Sequence, residues 1–133
     1  MSLTVTGVTY YGQPTFTSLV TDINFDTGDL VIGEFAASQF DGVQISNNVI
    51  IHGTPSKADI IIVAMNAFDN SFSLKGWQFN GFAENDGGKN VHVIGSSRGD
   101  DITGSDQINV LEILEGGPGA DTLQGGKADD TFY

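Results

Sequence analysis

Cysteine is absent from this chain, which rules out a disulfide framework and thiolate metal centres. A metal would have to be held by oxygen, or less readily by His52 and His92, and oxygen ligands favour calcium or magnesium. Positive charge is scarce as well. Five Lys and Arg face seventeen Asp and Glu, a formal charge of -12 at pH 7. This balance argues against nucleic acid and anionic membrane surfaces as partners and in favour of cations. No apolar run approaches the length that spans a bilayer, so membrane insertion is not expected. The start, MSLTVTGVTYYGQ, has neither the basic region nor the apolar core of a targeting segment, and Met1, Ser2 and Leu3 carry no weight in the predicted fold.

What is present is glycine, eighteen of 133 residues, and much of it is periodic. GGPGADTLQ at 116–124 is followed directly by GGKADDTFY at 125–133, one nine-residue phrase written twice. In each copy an aspartate stands sixth, Asp121 and Asp130, and a large apolar residue eighth, Leu123 and Phe132. The frame extends upstream. GSSRGDDIT at 95–103 carries Asp100 and Ile102 at those positions, and GSDQINVLE at 104–112 carries Asn109 and Leu111. Ile113, Leu114 and Glu115 then add three residues before the phase resumes at Gly116. DGGKNVHVI at 86–94 keeps the apolar eighth position but has Val91 sixth, as a transition turn would.

These residues resemble the RTX family, with its hemolysin-type calcium-binding repeat GGxGxDxUx, U being large and apolar. The resemblance covers residues 95–133, under a third of the chain, and only GGPGADTLQ matches every fixed position. Ala128 replaces a glycine in the last copy, Ser96 and Arg98 replace two in the first, and Asn109 replaces the aspartate in the second. The residue types suit the chemistry. Glycines permit positive φ and let carbonyls converge, while the aspartate adds a charged oxygen. Calcium takes about six to eight oxygens, so one short loop cannot complete its shell and two loops must share an ion.

The resemblance implies that each nonapeptide forms a loop and a short strand, that successive loops fall on opposite sides, and that loops eighteen residues apart stack around calcium. With the three-residue segment absorbed, the loop of Asp100 is expected on that of Asp121, with carbonyls around Ser96, Arg98, Gly117 and Gly119. The loop of Asn109 and Asp106 is expected on that of Asp130, with Gly125, Gly126 and Ala128 alongside and Gly116 opening the third copy. The lower faces of the last two loops would need further repeats, so the native array is expected to continue beyond Tyr133. The resemblance further implies secretion by a type I system.

Upstream, VQISNNVIIHG, ADIIIVAM, FSLKGWQF and KNVHVIG are short runs rich in Val, Ile, Phe and Trp, broken by Asn, Gly, Pro, Asp or Ser. They predict strands; GEFAASQF alone could form a turn or two of helix. The expected architecture is all-β, a right-handed parallel β-roll or β-helix. It comprises a β-rich cap at 1–42, wider β-helix-like turns at 43–94 and calcium-binding repeats at 95–133. A separate N-terminal β-sandwich is the competing layout.

Other residues have plainer readings. His52 and His92 sit in alternating apolar strands, where a solvent-facing or core histidine outweighs a metal ligand. Trp77, Phe79 and Phe82 read as core before they read as a sugar platform. Asp22, Asp26 and Asp29 lack the distal glutamate of an EF-hand and read as a solvated turn. Asp129 and Asp130 are adjacent and would face opposite sides of a strand, so they make no acid/base pair. No catalytic constellation stands out. The function expected is a calcium-binding structural module of a larger secreted protein. A fragment of a secreted enzyme, or an adhesin with a carbohydrate or cell-surface partner, is the alternative.

Overall fold

A computed structural model describes residues 1–82, 90–107, 110–127 and 130–133. The predicted positions Asn109, Ala128 and Asp129, and residues 86–89 of the DGGKNVHVI turn, lie outside these residues. The described chain is all-β, in thirteen strands. They are β1 (Ser2–Val5), β2 (Val8–Tyr10), β3 (Val20–Phe25), β4 (Leu30–Ala36), β5 (Ile45–His52), β6 (Ala58–Ala64) and β7 (Ser71–Ser73). The remainder are β8 (Gln78–Asn80), β9 (Asn90–Ile94), β10 (Asp101–Thr103), β11 (Leu111–Glu115), β12 (Thr122–Gln124) and β13 (Thr131–Phe132).

Every strand pair is parallel, and the three sheets are open. One sheet has the order β1-β3-β5-β8, a second β12-β10-β7 and a third β13-β11-β9-β6-β4-β2. Consecutive strands of the repeat segment therefore alternate between the second and third sheets. Residues 1–42 contribute β1 to β4 to the same first and third sheets as the later strands. Ser2 and Leu3, given no weight from sequence, pair with Asp22 and Ile23. GEFAASQF divides between β4 and a single 3₁₀ turn at Ala37–Gln39. Parallel neighbours on both sides make β4 extended, overriding any local helical preference.

The passes of the chain lengthen from twenty residues, Ser2 to Asp22, to thirty and then shorten towards the C-terminal end. Ile61 pairs with Val91 thirty residues on, Ile102 with Leu123 twenty-one on, and Leu114 with Phe132 eighteen on. The extra Ile113, Leu114 and Glu115 lengthen β11, which runs the full length of β9.

Strand alternation sorts the side chains. In β6 Ile61 and Val63 are buried while Ile60 and Ile62 face outward. Outward Ile32 and Ile60 stand side by side across the ladder, where β-branched neighbours shield one another. Where the passes are wide, aromatic residues fill the interior. Tyr11, Phe35, Phe40, Phe72, Trp77, Phe79 and Phe82 form a continuous chain of ring contacts with centroids 4.7 to 6.2 Å apart. Gln39, buried beside them, donates to the carbonyls of Tyr11 and Pro14 and accepts from Ala36 N, tying the 11–14 segment to the 3₁₀ turn. In the narrow part small aliphatics suffice, Ile102 and Leu114 being fully buried.

Trp77 is 1 % exposed and Phe68, at the tip of a turn, 93 % exposed. Trp77→Ala is expected to remove about 3–5 kcal/mol of stability, whereas Phe68→Ala should stay within about 0.5 kcal/mol of the parent. Urea denaturation of the two variants checks the contrast.

Candidate functional site

The repeat loops stack in two columns because the strands that follow them pair in parallel. Asp101 to Thr103 pair with Thr122 to Gln124, which sets the 95–100 loop against the 116–121 loop. Gly95 N donates to Glu115 O at 2.6 Å and Thr122 N to Asp100 O at 2.7 Å, bracketing the pair. In the second column Gly104 N donates to Gln124 O at 2.7 Å, setting the 104 loop against the 125 loop.

Backbones approach so closely here that side chains would not fit. A Cβ at Gly117, whose φ is +80°, would lie 2.9 Å from the Ser96 carbonyl oxygen. One at Gly119, with φ +113°, would lie 2.7 Å from the Arg98 carbonyl oxygen. Positive φ and close approach together leave glycine as the residue these positions accept. Arg98 itself is held outward by a bond from Nη1 to the Ala67 carbonyl at 3.0 Å.

A carboxylate sits over the first glycine of each loop. Asp100 Oδ2 lies 2.8 Å from where a Cβ on Gly95 would be, and the carboxyl groups of Asp121 and Asp130 cover Gly116 and Gly125 in the same way. In the 104 loop the acid over the first glycine is Glu112. Sequence reasoning missed this residue, since it stands ninth in the phrase rather than sixth. The signal available was strand alternation. LEILE places Glu112 and Leu114 on the inward face together, and Glu112 is 1 % exposed.

These acids accept hydrogen bonds from the loops. Asp100, 3 % exposed, accepts from Ser96 N at 2.8 Å and from Ser96 Oγ at 2.9 Å. Glu112 accepts from Ser105 N and Ser105 Oγ, each at 2.7 Å, so two acids at different repeat positions hold their serines alike. Asp121 Oδ1 accepts from Asp100 N at 2.9 Å and joins the two loops of the first column. Asp101 faces outward and is exposed, as is Asp106. Burial pushes the Glu112 carboxyl up to about 7 against the pull of its Ser105 hydrogen bonds, with Asp130 and Asp106 adding repulsion.

The residues fit an oxygen-coordinated cation: buried carboxylates, paired loops and glycines that a Cβ would obstruct. Among the described residues, no three His, Cys, Asp or Glu side chains converge as a metal-holding group, so carbonyls would have to supply much of any shell. Elsewhere, His52 bonds Asp22 at 3.1 Å and His92 bonds Glu115 at 3.0 Å. Asp26 accepts from Gly28 N and Asp29 pairs with Lys57, so Asp22, Asp26 and Asp29 each have their own partner. No family model, curated protein or solved structure matches the chain.

Glu112 dictates a pH dependence. Its folded pKa exceeds the unfolded value of 4.5, so between about 4.5 and about 7 the folded chain holds a proton that the unfolded chain has released. Stability from this group is greatest at low pH and is lost as pH rises through that window, by at most about 1.4 kcal/mol per unit. Glu112→Gln keeps an acceptor for Ser105 N and removes the titration. Urea denaturation in chelator should show the variant gaining on the parent between pH 5 and pH 8.

Proposed function

We propose that this chain is a calcium-binding structural module of a larger secreted protein, its parallel strands wound as a right-handed β-roll that folds on calcium. The observation that supports the reading best is the first loop column. It places Asp100 and Asp121 in adjacent loops linked by a 2.9 Å hydrogen bond, beside glycines pressed against neighbouring carbonyls. Right-handed crossover is the rule for parallel strands joined through a second layer. In this reading Asp100 and Asp121, with carbonyls around Ser96, Arg98, Gly117 and Gly119, hold one ion. Asp130, Glu112 and Asp106 serve the second column.

Calcium answers an electrostatic need. Two carboxylates about 4 Å apart repel by roughly 1 kcal/mol in water and about 4 at an effective dielectric near 20. Without the ion the narrow part of the stack carries that repulsion, and with it the acids become ligands. Magnesium is a poor substitute because it demands tight octahedral geometry and gives up water reluctantly. In this reading the module binds and supports.

Chelation should raise hydrogen exchange across 95–133 more than across 43–94, and equal protection with and without chelator contradicts the reading. Calorimetric titration separates ligand from bystander. Asp121→Ala should abolish most calcium-dependent stabilisation, about 1.4 kcal/mol per site when free calcium is tenfold above the dissociation constant. Asp101→Ala should leave calcium affinity nearly intact, since its side chain faces away from the loop column.

A further inference from the structure

On the outer surface, the 3₁₀ turn at Ala37–Gln39 and the edge strand β7 leave a groove of about 500 Å³ between them. Ser38 and Asp41 form one wall. The other is a two-by-two grid: Ser71 stands beside Asp101 and Ser73 beside Thr103, because β7 and β10 pair in register. Adjacent strands put the members of each pair about 4.8 Å apart, and alternate residues along a strand about 6.6 Å apart. The floor is apolar. Phe40 and Phe72 meet edge to face at 5.7 Å, and Trp77 packs beneath both. Phe72 is half-buried, its ring turned inward onto Phe40 and Trp77 while Ser71 and Ser73 face out.

The chemistry of these walls selects the ligand. Four hydroxyls, each both donor and acceptor, flank two carboxylates that only accept when ionised. Ser73 Oγ already accepts from Lys75 N at 3.1 Å, which leaves its hydrogen to donate into the groove. Asp41 is held rigidly. Its Oδ1 accepts from both Gln44 N and Val43 N at 2.8 Å, bonds that hold the carboxyl below its ordinary pKa and leave Oδ2 as its remaining acceptor. Such a set matches a ligand that is itself dense in hydroxyls. Charge narrows the choice further. Two carboxylates on a chain of charge -12 repel uronic or sulfated polymers. Calcium is ill served here too, since Asp41 Oδ1 is committed to two amides and, apart from Asp41 Oδ2 and the Asp101 carboxylate, the side-chain oxygens are neutral hydroxyls.

We propose that this groove binds a neutral glycan, a short run of sugar rings lying across β7 with hydroxyls donated to Asp41 and Asp101. The site is independent of the calcium columns, and one substitution tells them apart. Asp101→Ala removes a groove acceptor and lies outside the loop ligands.

The test is calorimetric titration of the full chain, in saturating calcium and again in chelator. The probes are maltohexaose, cellohexaose, xylohexaose, mannohexaose and hexagalacturonate. At least one neutral hexasaccharide should bind with a Kd of about 1 mM or tighter, and hexagalacturonate should not. Asp101→Ala, and Ser71→Leu that fills the groove, should each weaken binding about tenfold or more while leaving the calcium titration unchanged. Failure of every neutral probe overturns the proposal. So does equal binding of hexagalacturonate, or affinity indifferent to both substitutions in variants whose circular dichroism matches the parent.

Discussion

Parallel pairing in register is the constraint on which the rest of this structure depends. Once each strand lies directly against its counterpart from the previous pass, the turns between strands must stack as well, and turn backbones are pressed together. Two needs follow. Some positions must carry no side chain, as at Gly117 and Gly119, and the amides of the stacked turns must find acceptors. Carboxylates meet the second need throughout the chain. Asp26 accepts from Gly28 N, Asp41 from Val43 N and Gln44 N, Asp59 from Thr54 N, Asp69 from Asn66 N, Asp100 from Ser96 N and Glu112 from Ser105 N.

This explains an acidic composition without requiring every acid to be a ligand. An ionised carboxylate on backbone amides is a charge-assisted bond, stronger than a neutral one. It also concentrates negative charge in the narrow part, where Glu112, Asp130 and Asp106 repel one another enough to help raise the Glu112 pKa. A calcium ion between stacked loops would relieve that strain using the same oxygens. In the proposed reading, turn capping and ion binding would be two uses of one geometry, and the chelation experiment distinguishes how much each contributes.

The change in pass length governs where apolar mass sits. Wide passes enclose the aromatic chain from Tyr11 to Phe82, while the narrow passes hold only Ile102, Leu114 and their neighbours. With less apolar area to bury, the narrow part gains less from the hydrophobic effect and depends more on its polar loops. The groove beside β7 arises at the same transition. The 3₁₀ turn of an earlier pass stands where a strand of the second sheet would otherwise continue, and β7 is left as an edge.

By itself the sequence determined the class and the period. Alternating Val and Ile runs made strands of 45–52, 58–64 and 90–94, and the repeat frame put Ile102 and Leu123 at one strand position, whereas Phe132 pairs with Leu114 and not with the expected Leu111, because the three added residues carry the inward apolar position along β11. Both are local signals, since side-chain alternation and glycine placement act within a few residues. It also pointed to Asp100, Asp121 and Asp130 as the acids of their loops. Only the tertiary structure decided the rest. Ser2–Val5 is a strand because β3 lies beside it, and GEFAASQF is extended because β2 and β6 flank β4. Glu112 replaces the missing sixth-position aspartate because β11 turns it inward onto Ser105, a contact seven residues apart that the nonapeptide pattern does not encode. The groove joins residues from 38 to 103 that no spacing relates, since their proximity comes from the stacking of separate passes and from nothing local in the chain.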